Sequence, residues 1–184
     1  MSVLLDCRVV SSQNHDSRPV GTIVDLIVVH AISVPPCEFG GTAVEELFTN
    51  VLDPDVHPYY RTISHLRVSS HYFVRRYGEV VCFVDPDQRA WHAGVSSWQG
   101  RERCNDFSVG IELEGCDTQP FEPVQYLRLA SLIRGLMKRF PIETVVGHSD
   151  IAPGRKTDPG PYFEWGRLRE LLADCPGLQV GVGA

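Results

Sequence analysis

Two imidazoles and a carboxylate supply the residue types of a metal centre in this chain: His30, His148 and Asp158. His148 and Asp158 share one stretch, Gly147-His148-Ser149-Asp150-Ile151-Ala152-Pro153-Gly154-Arg155-Lys156-Thr157-Asp158-Pro159-Gly160-Pro161, which follows the apolar run Thr144 to Val146. Their spacing is too wide for one helical face, so the loop must fold back to bring them together. Its Pro and Gly content suits a loop that holds side chains rigidly. A tetrahedral catalytic zinc takes three protein ligands and leaves the fourth position to water. His30, at the end of Ile23-Val24-Asp25-Leu26-Ile27-Val28-Val29, is the third candidate. By residue type alone, His57, His65, His71 and His92 remain open as ligands, Glu112 as a surface carboxylate and Lys156 as a solvated loop charge. His15, in a polar segment, is given no role. The set favours a metal-dependent or acid–base hydrolase without fixing it.

The elements that must position these groups follow from periodicity. Ile23 to Val29 is a β-branched run that predicts a central strand buried on both faces. Strands are also predicted over Ser70 to Arg75 and Val80 to Val84, joined by a hairpin turn, over Phe107 to Leu113, and over Thr144 to Val146. Thr42-Ala43-Val44-Glu45 has the capping-box spacing and predicts a helix to about Thr49. Pro123 suits a first helical turn, and Tyr126, Leu129, Ala130, Ile133, Leu136, Met137 and Phe140 recur at helical spacing. A last helix carries Trp165, Leu168, Leu171 and Leu172. Residues 1 to 22 read as surface wrapping, and Ile32 to Gly41 and Leu52 to Thr62 read as loops. Strands interspersed with helices, with no linker or repeat, predict one α/β domain over residues 1 to 184 with a mixed sheet.

Composition narrows the partners. Lys and Arg number 17 against 23 Asp and Glu, a net charge of −6 with no basic run, which argues against nucleic acid. The apolar runs are too short to span a bilayer, and a monomer without membrane contact is expected. The N-terminus has neither the charged n-region nor the apolar h-region of a secretory signal. Six cysteines without a CxxC pair then read as reduced thiols, and a cytoplasmic location is expected.

Several stretches taken together resemble the zinc N-acetylmuramoyl-L-alanine amidases. They are Val28-Val29-His30, Gly40-Gly41, His65 to Ser69, Arg89-Ala90-Trp91-His92-Ala93-Gly94, Gly100 to Ser108, Gly110 to Gly115, and Gly147 to Pro161, collinear from about Ile23 to Trp165. Within that family they are most similar to the cytoplasmic group that acts on 1,6-anhydro-N-acetylmuramyl-L-alanine. Phage amidase lysozymes and peptidoglycan-recognition proteins are wider relatives of the family. The resemblance implies a central mixed sheet packed by helices, with Zn2+ in a surface cleft. It implies His30, His148 and Asp158 as zinc ligands and Glu112 and Lys156 as the catalytic pair. Arg67 and Arg103 are the candidates for peptide carboxylates, Trp91 and Trp98 for stacking on the sugar, and Leu113 is counted with these contacts. Ala31 stands where these relatives often carry Asn, beside the expected substrate cleft. The implied reaction is hydrolysis of the amide between anhydro-N-acetylmuramic acid and L-alanine in small muropeptides, for cell-wall recycling. The alternatives are a lytic amidase acting on intact peptidoglycan and a peptidoglycan-binding module without catalysis.

Overall fold

The computed structural model describes residues 7–181. Eleven strands occur in chain order: β1 (Arg8–Val9), β2 (His15–Ser17), β3 (Leu26–Ile32), β4 (Tyr72–Val74), β5 (Val80–Cys82), β6 (Gln88–Ala90), β7 (Ser97–Trp98), β8 (Arg101–Glu102), β9 (Ser108–Glu114), β10 (Thr144–Gly147) and β11 (Gln179–Val180). The helices are α1 (Ala43–Phe48), α2 (Pro58–Ile63), α3 (Pro123–Met137), α4 (His148–Ile151) and α5 (Trp165–Leu171). Seven strands form the main sheet in the order β1-β5-β4-β9-β3-β10-β11, while β2–β6 and β7–β8 make small ribbons. Neighbours in the main sheet are parallel except β4 and β5, so the sheet is mixed, as expected.

The two longest strands sit at the centre because they can be buried on both faces. Every residue of β9 is buried, as is β3 through His30. Strand alternation then separates two cores. Ile27, Val29, Val109, Ile111, Leu113 and Val145 pack under α3 and α5. Leu26, Val28 and Val146 pack on the other face against Ala93, Cys104, Phe107 and Ile151. Helix α3 presents Tyr126, Leu129, Ala130, Ile133 and Leu136 to the first core, confirming the helical spacing. Pro123 opens it, and Gln125 Oε1 accepts from the Glu122 backbone N–H at 2.9 Å.

Three expectations are revised. The stretch read as a loop over 52–62 contains α2, capped by His57, whose Nδ1 accepts from the Tyr59 N–H at 3.1 Å. None of its residues is fully buried, so no apolar stripe announced it. At α1 the Thr42–Glu45 capping box is not made: Thr42 Oγ1 donates to Glu46, and Glu45 pairs with Arg8 and Arg75. The N-terminal segment does more than wrap: β1 joins the main sheet, and Arg18 donates to the carbonyls of Pro86, Asn105, Asp106 and Ser108.

Four of the six cysteines, expected as reduced thiols, are paired. Cys7 is joined to Cys82 and Cys37 to Cys116, with Cα separations of 6.2 and 5.4 Å. The β1–β5 pairing sets Val9 beside Cys82, and the β3–β9 pairing brings together the loops that carry Cys37 and Cys116. Those contacts are remote in sequence, so cysteine spacing could not show them.

Candidate metal centre and active site

Sheet register places the chemistry. His30 is the Cα partner of Glu112 across the parallel β3–β9 pair, and Gly147 is the partner of Val29 across β3–β10. His148, one residue past Gly147, therefore emerges level with His30. Even-numbered residues of β3 and β9 point away from α3, so His30 and Glu112 share one face near the strands' C-terminal ends. In open sheets with parallel strands that edge is where ligands bind.

Asp158 arrives by the folded-back loop that its distance from His148 requires. Ser149 N–H donates to the Asp158 carbonyl at 2.9 Å, and Gly147 N–H donates to the Asp150 carboxylate at 2.7 Å. A Cβ on Gly147 would lie 2.8 Å from Pro159 Cδ, so this approach requires glycine. His148 begins the short helix α4 rather than an irregular loop.

The three side chains converge. His30 Nδ1 lies 3.0 Å from His148 Nδ1, and each lies 3.1 Å from Asp158 Oδ2. Among the described residues, they are the histidine, cysteine and carboxylate side chains whose ligand atoms gather within 4.8 Å. Of the histidines left open by residue type, His71 and His92 are buried behind this trio and His57 caps α2. His30 Nε2 contacts His92 Nδ1 at 2.9 Å, and His148 Nε2 contacts the Ala93 carbonyl at 3.1 Å.

A cation fits this donor set. A carbonyl only accepts, so His148 must carry a proton on Nε2. A neutral His148 then turns an Nδ1 lone pair toward the Asp158 carboxylate. Burial, then the neighbouring His148, pushes the His30 imidazole down to about 4, so it is neutral near pH 7. Acceptors facing one another at such distances repel unless a positive ion lies among them. Two imidazoles and one carboxylate match an open catalytic zinc site.

Among the described residues, Glu112 stands beside them without a hydrogen-bond partner for its Oε2. It is 8 % exposed, and its Oε2 is buried with no hydrogen bond. Burial, then the charge of Asp158, pushes its carboxyl well above the ordinary range, and Lys156 acts in the opposite direction. Glu112, Lys156, Asp158, His30, His148 and His92 line one cleft of about 240 Å³, with Ala31 at its wall as expected. The far wall comes from α1 and the unforeseen α2, through Leu47, Phe48, Tyr59 and Ile63.

The family model described as N-acetylmuramoyl-L-alanine amidase matches residues 20–161, which hold all five of these residues. The chain belongs to this amidase family. The amidase is 54% identical over 179 residues to the 1,6-anhydro-N-acetylmuramyl-L-alanine amidase AmpD of Enterobacter cloacae, covering 96% of each chain. It superposes on a crystal structure of an AmpD selenomethionine derivative with a TM-score of 0.89 and 55% identity, covering 91% of this chain and 95% of that one. The Escherichia coli amidase AmiD, solved in complex with anhydro-N-acetylmuramic acid-L-Ala-D-gamma-Glu-L-Lys, is 33% identical with a TM-score of 0.60, over 84% of this chain and 60% of that one.

The amidase does not gather the expected substrate contacts into the metal cleft. Leu113 follows Glu112 and so faces the opposite side of the sheet, fully buried under α3; its side chain cannot touch a ligand in the cleft. Trp98 packs half-buried against the core of Leu26 and Val28. Trp91 is half-buried, with its backbone N–H on the Asn14 carbonyl. Arg67 is exposed and donates to the carbonyls of Ser64 and Leu66 in its own loop. Arg103, 3.4 Å from Asp106, lines a neighbouring groove with Arg155. Sequence reasoning missed Tyr59 and Ile63 as cleft residues because it missed their helix. No helix among the described residues is long and apolar enough to cross a membrane.

Proposed function

We propose that this amidase is a zinc enzyme that hydrolyses the amide joining the lactyl group of 1,6-anhydro-N-acetylmuramic acid to L-alanine in soluble muropeptides, in cell-wall recycling. One observation carries the reading: two imidazoles and a carboxylate converge beside the unpartnered Glu112 Oε2, on the floor of a cleft that also holds Lys156. Bound zinc supplies Lewis acidity, polarising the amide carbonyl and making water a nucleophile near neutral pH. His30, His148 and Asp158 would hold it. Glu112 takes a proton from the attacking water and passes it to the departing alanine nitrogen as the carbon–nitrogen bond breaks. The Lys156 ammonium stabilises the negative oxygen of the tetrahedral intermediate. A muramyl carboxylate and a peptide with a free amino terminus result.

Tyr59 and Ile63 offer apolar surface within the cleft, and the sugar is assigned to that wall rather than to Trp98. The exposed guanidinium groups of Arg67 and Arg103 are assigned to peptide carboxylates outside it, where bidentate pairing suits them. A recycling role puts the enzyme in the cytoplasm.

The test of substrate is a comparison of kcat/KM on an anhydromuramyl tripeptide and its non-anhydro counterpart, together with peptide release from intact sacculi. The anhydro sugar is bicyclic and locked, so a pocket shaped to it can exclude an extended glycan strand. Strong preference for the anhydro substrate is expected. Equal efficiency on both sugars, or rapid digestion of sacculi, would assign the enzyme to the lytic class.

A further inference from the structure

We propose that His92 and Ala93 form a positioning clamp for both imidazole ligands, fixing each ring as the tautomer whose Nδ1 lone pair faces the metal position. The proposal rests on the reading of His30 and His148 as ligands. Proton order follows from a group that can only accept. The Cys104 carbonyl takes the single hydroxyl proton of Ser108 at 2.5 Å. Ser108 Oγ can then only accept from His92 Nε2, 3.2 Å away. A neutral His92 carrying its proton on Nε2 has an acceptor at Nδ1. Its 2.9 Å contact with His30 Nε2 therefore requires the His30 proton on Nε2. That leaves a lone pair on His30 Nδ1, the atom facing Asp158 Oδ2. The next residue does the same for the other ligand, because the Ala93 carbonyl accepts from His148 Nε2 at 3.1 Å. A protonated His92 would reverse the first result, donating from Nδ1 and driving the His30 proton to Nδ1.

The clamp is itself held from three sides. Asn105 Oδ1 accepts from the backbone N–H groups of His92 and Ala93 at 3.1 and 2.8 Å. Arg155 donates to the carbonyls of Ala93 and Val95 at 2.8 and 2.6 Å. Gly110 lies under the imidazole of His92, where a Cβ would sit 2.5 Å from its Cγ. Each of these three contacts holds this segment in place. Groups that orient metal-bound imidazoles typically change metal affinity by about 10–100-fold when removed.

The first test needs no variant. In metal-free, ¹⁵N-labelled protein, long-range ¹H–¹⁵N correlation of the imidazoles should show His30 and His148 both protonated on Nε2. A His30 proton on Nδ1, or a mixture of tautomers, would overturn the clamp. The second test is zinc affinity by chelator competition. His92→Leu should weaken zinc by about 10–100-fold, and His92→Asn, which keeps an acceptor near the Nδ1 position, should recover most of the loss. Wild-type zinc affinity in His92→Leu, or equal losses in the two variants, would also overturn it. Retention of zinc by His30→Ala would instead sink the ligand assignment, a result distinct from the tautomer readout.

Discussion

Glu112 is placed where ionisation is unfavourable, yet a general base works only while ionised. Burial raises its pKa, the Asp158 charge adds to this, and Lys156 opposes it. The acid limb of kcat/KM should therefore report Glu112 losing activity as pH falls through its pKa. Lys156→Met removes the opposing positive charge, so besides slowing turnover it should move that limb to higher pH. A pH–rate profile in which the limb stays put or moves down would mean that Glu112 is not the group titrating. Glu112→Gln should keep zinc and lose about a hundredfold or more in kcat, because it makes no contact with the ligand atoms. His148→Ala should lose the metal, read by elemental analysis, and full occupancy in that variant would remove it from the ligand set. At this scale the groups that converge in the cleft were legible by residue type and by the family pattern. Their supports were not: the Ala93 carbonyl holds His148 through backbone, which has no side-chain signature in a sequence.

Secondary elements were legible where one physical signal dominated. The runs that became β3 and β9 are apolar over their whole length, as parallel strands buried on both faces must be. Helix α3 has a clean apolar stripe. What stayed hidden were pieces stabilised from outside themselves. Helix α2 rests on an unusual histidine cap, and the two-residue strands β1 and β11 exist only because a neighbouring strand offers free edge groups. The loop from Gly147 to Asp158 falls between these cases, since its composition predicted rigidity and its distant ligands demanded a fold-back. Its hinge can be tested directly. Gly147→Ala puts a Cβ 2.8 Å from Pro159 Cδ and must displace the segment carrying Asp158. Overpacking of this kind costs about 1–3 kcal/mol, and here zinc affinity should fall along with the denaturation midpoint. A variant with unchanged zinc affinity would show that Asp158 reaches the site independently of the Gly147–Pro159 contact.

Across the whole molecule, the cleft is backed by imidazoles with almost no solvent exposure. His30, His71 and His92 are 1, 0 and 8 % exposed, and the N-terminal segment seals them from behind by setting Arg18 against His71 Nε2 at 3.2 Å. Burial, then the Arg18 charge, pushes His71 down to about 3. His71 also serves the sheet, since its Nδ1 accepts from the Gly110 N–H at 2.9 Å, which needs an unprotonated nitrogen. An unfolded histidine titrates near ~6.5, so below that pH the unfolded chain binds a proton that the folded chain refuses. The sign follows directly: stability is full above the unfolded pKa and is lost as pH falls toward the folded one. For His71 the loss amounts to about 1.4 kcal/mol per pH unit, and it runs from about 6.5 down to about 3. His30, lowered to about 4, adds a similar loss in the metal-free protein. Urea unfolding of metal-free protein between neutral and mildly acidic pH should show this decline. His71→Asn keeps an acceptor for the Gly110 N–H and removes the titrating ring. It should flatten the slope by about one proton, even if it lowers stability at neutral pH. An unaltered slope in that variant would mean that His71 is protonated in the folded state as readily as in the unfolded one.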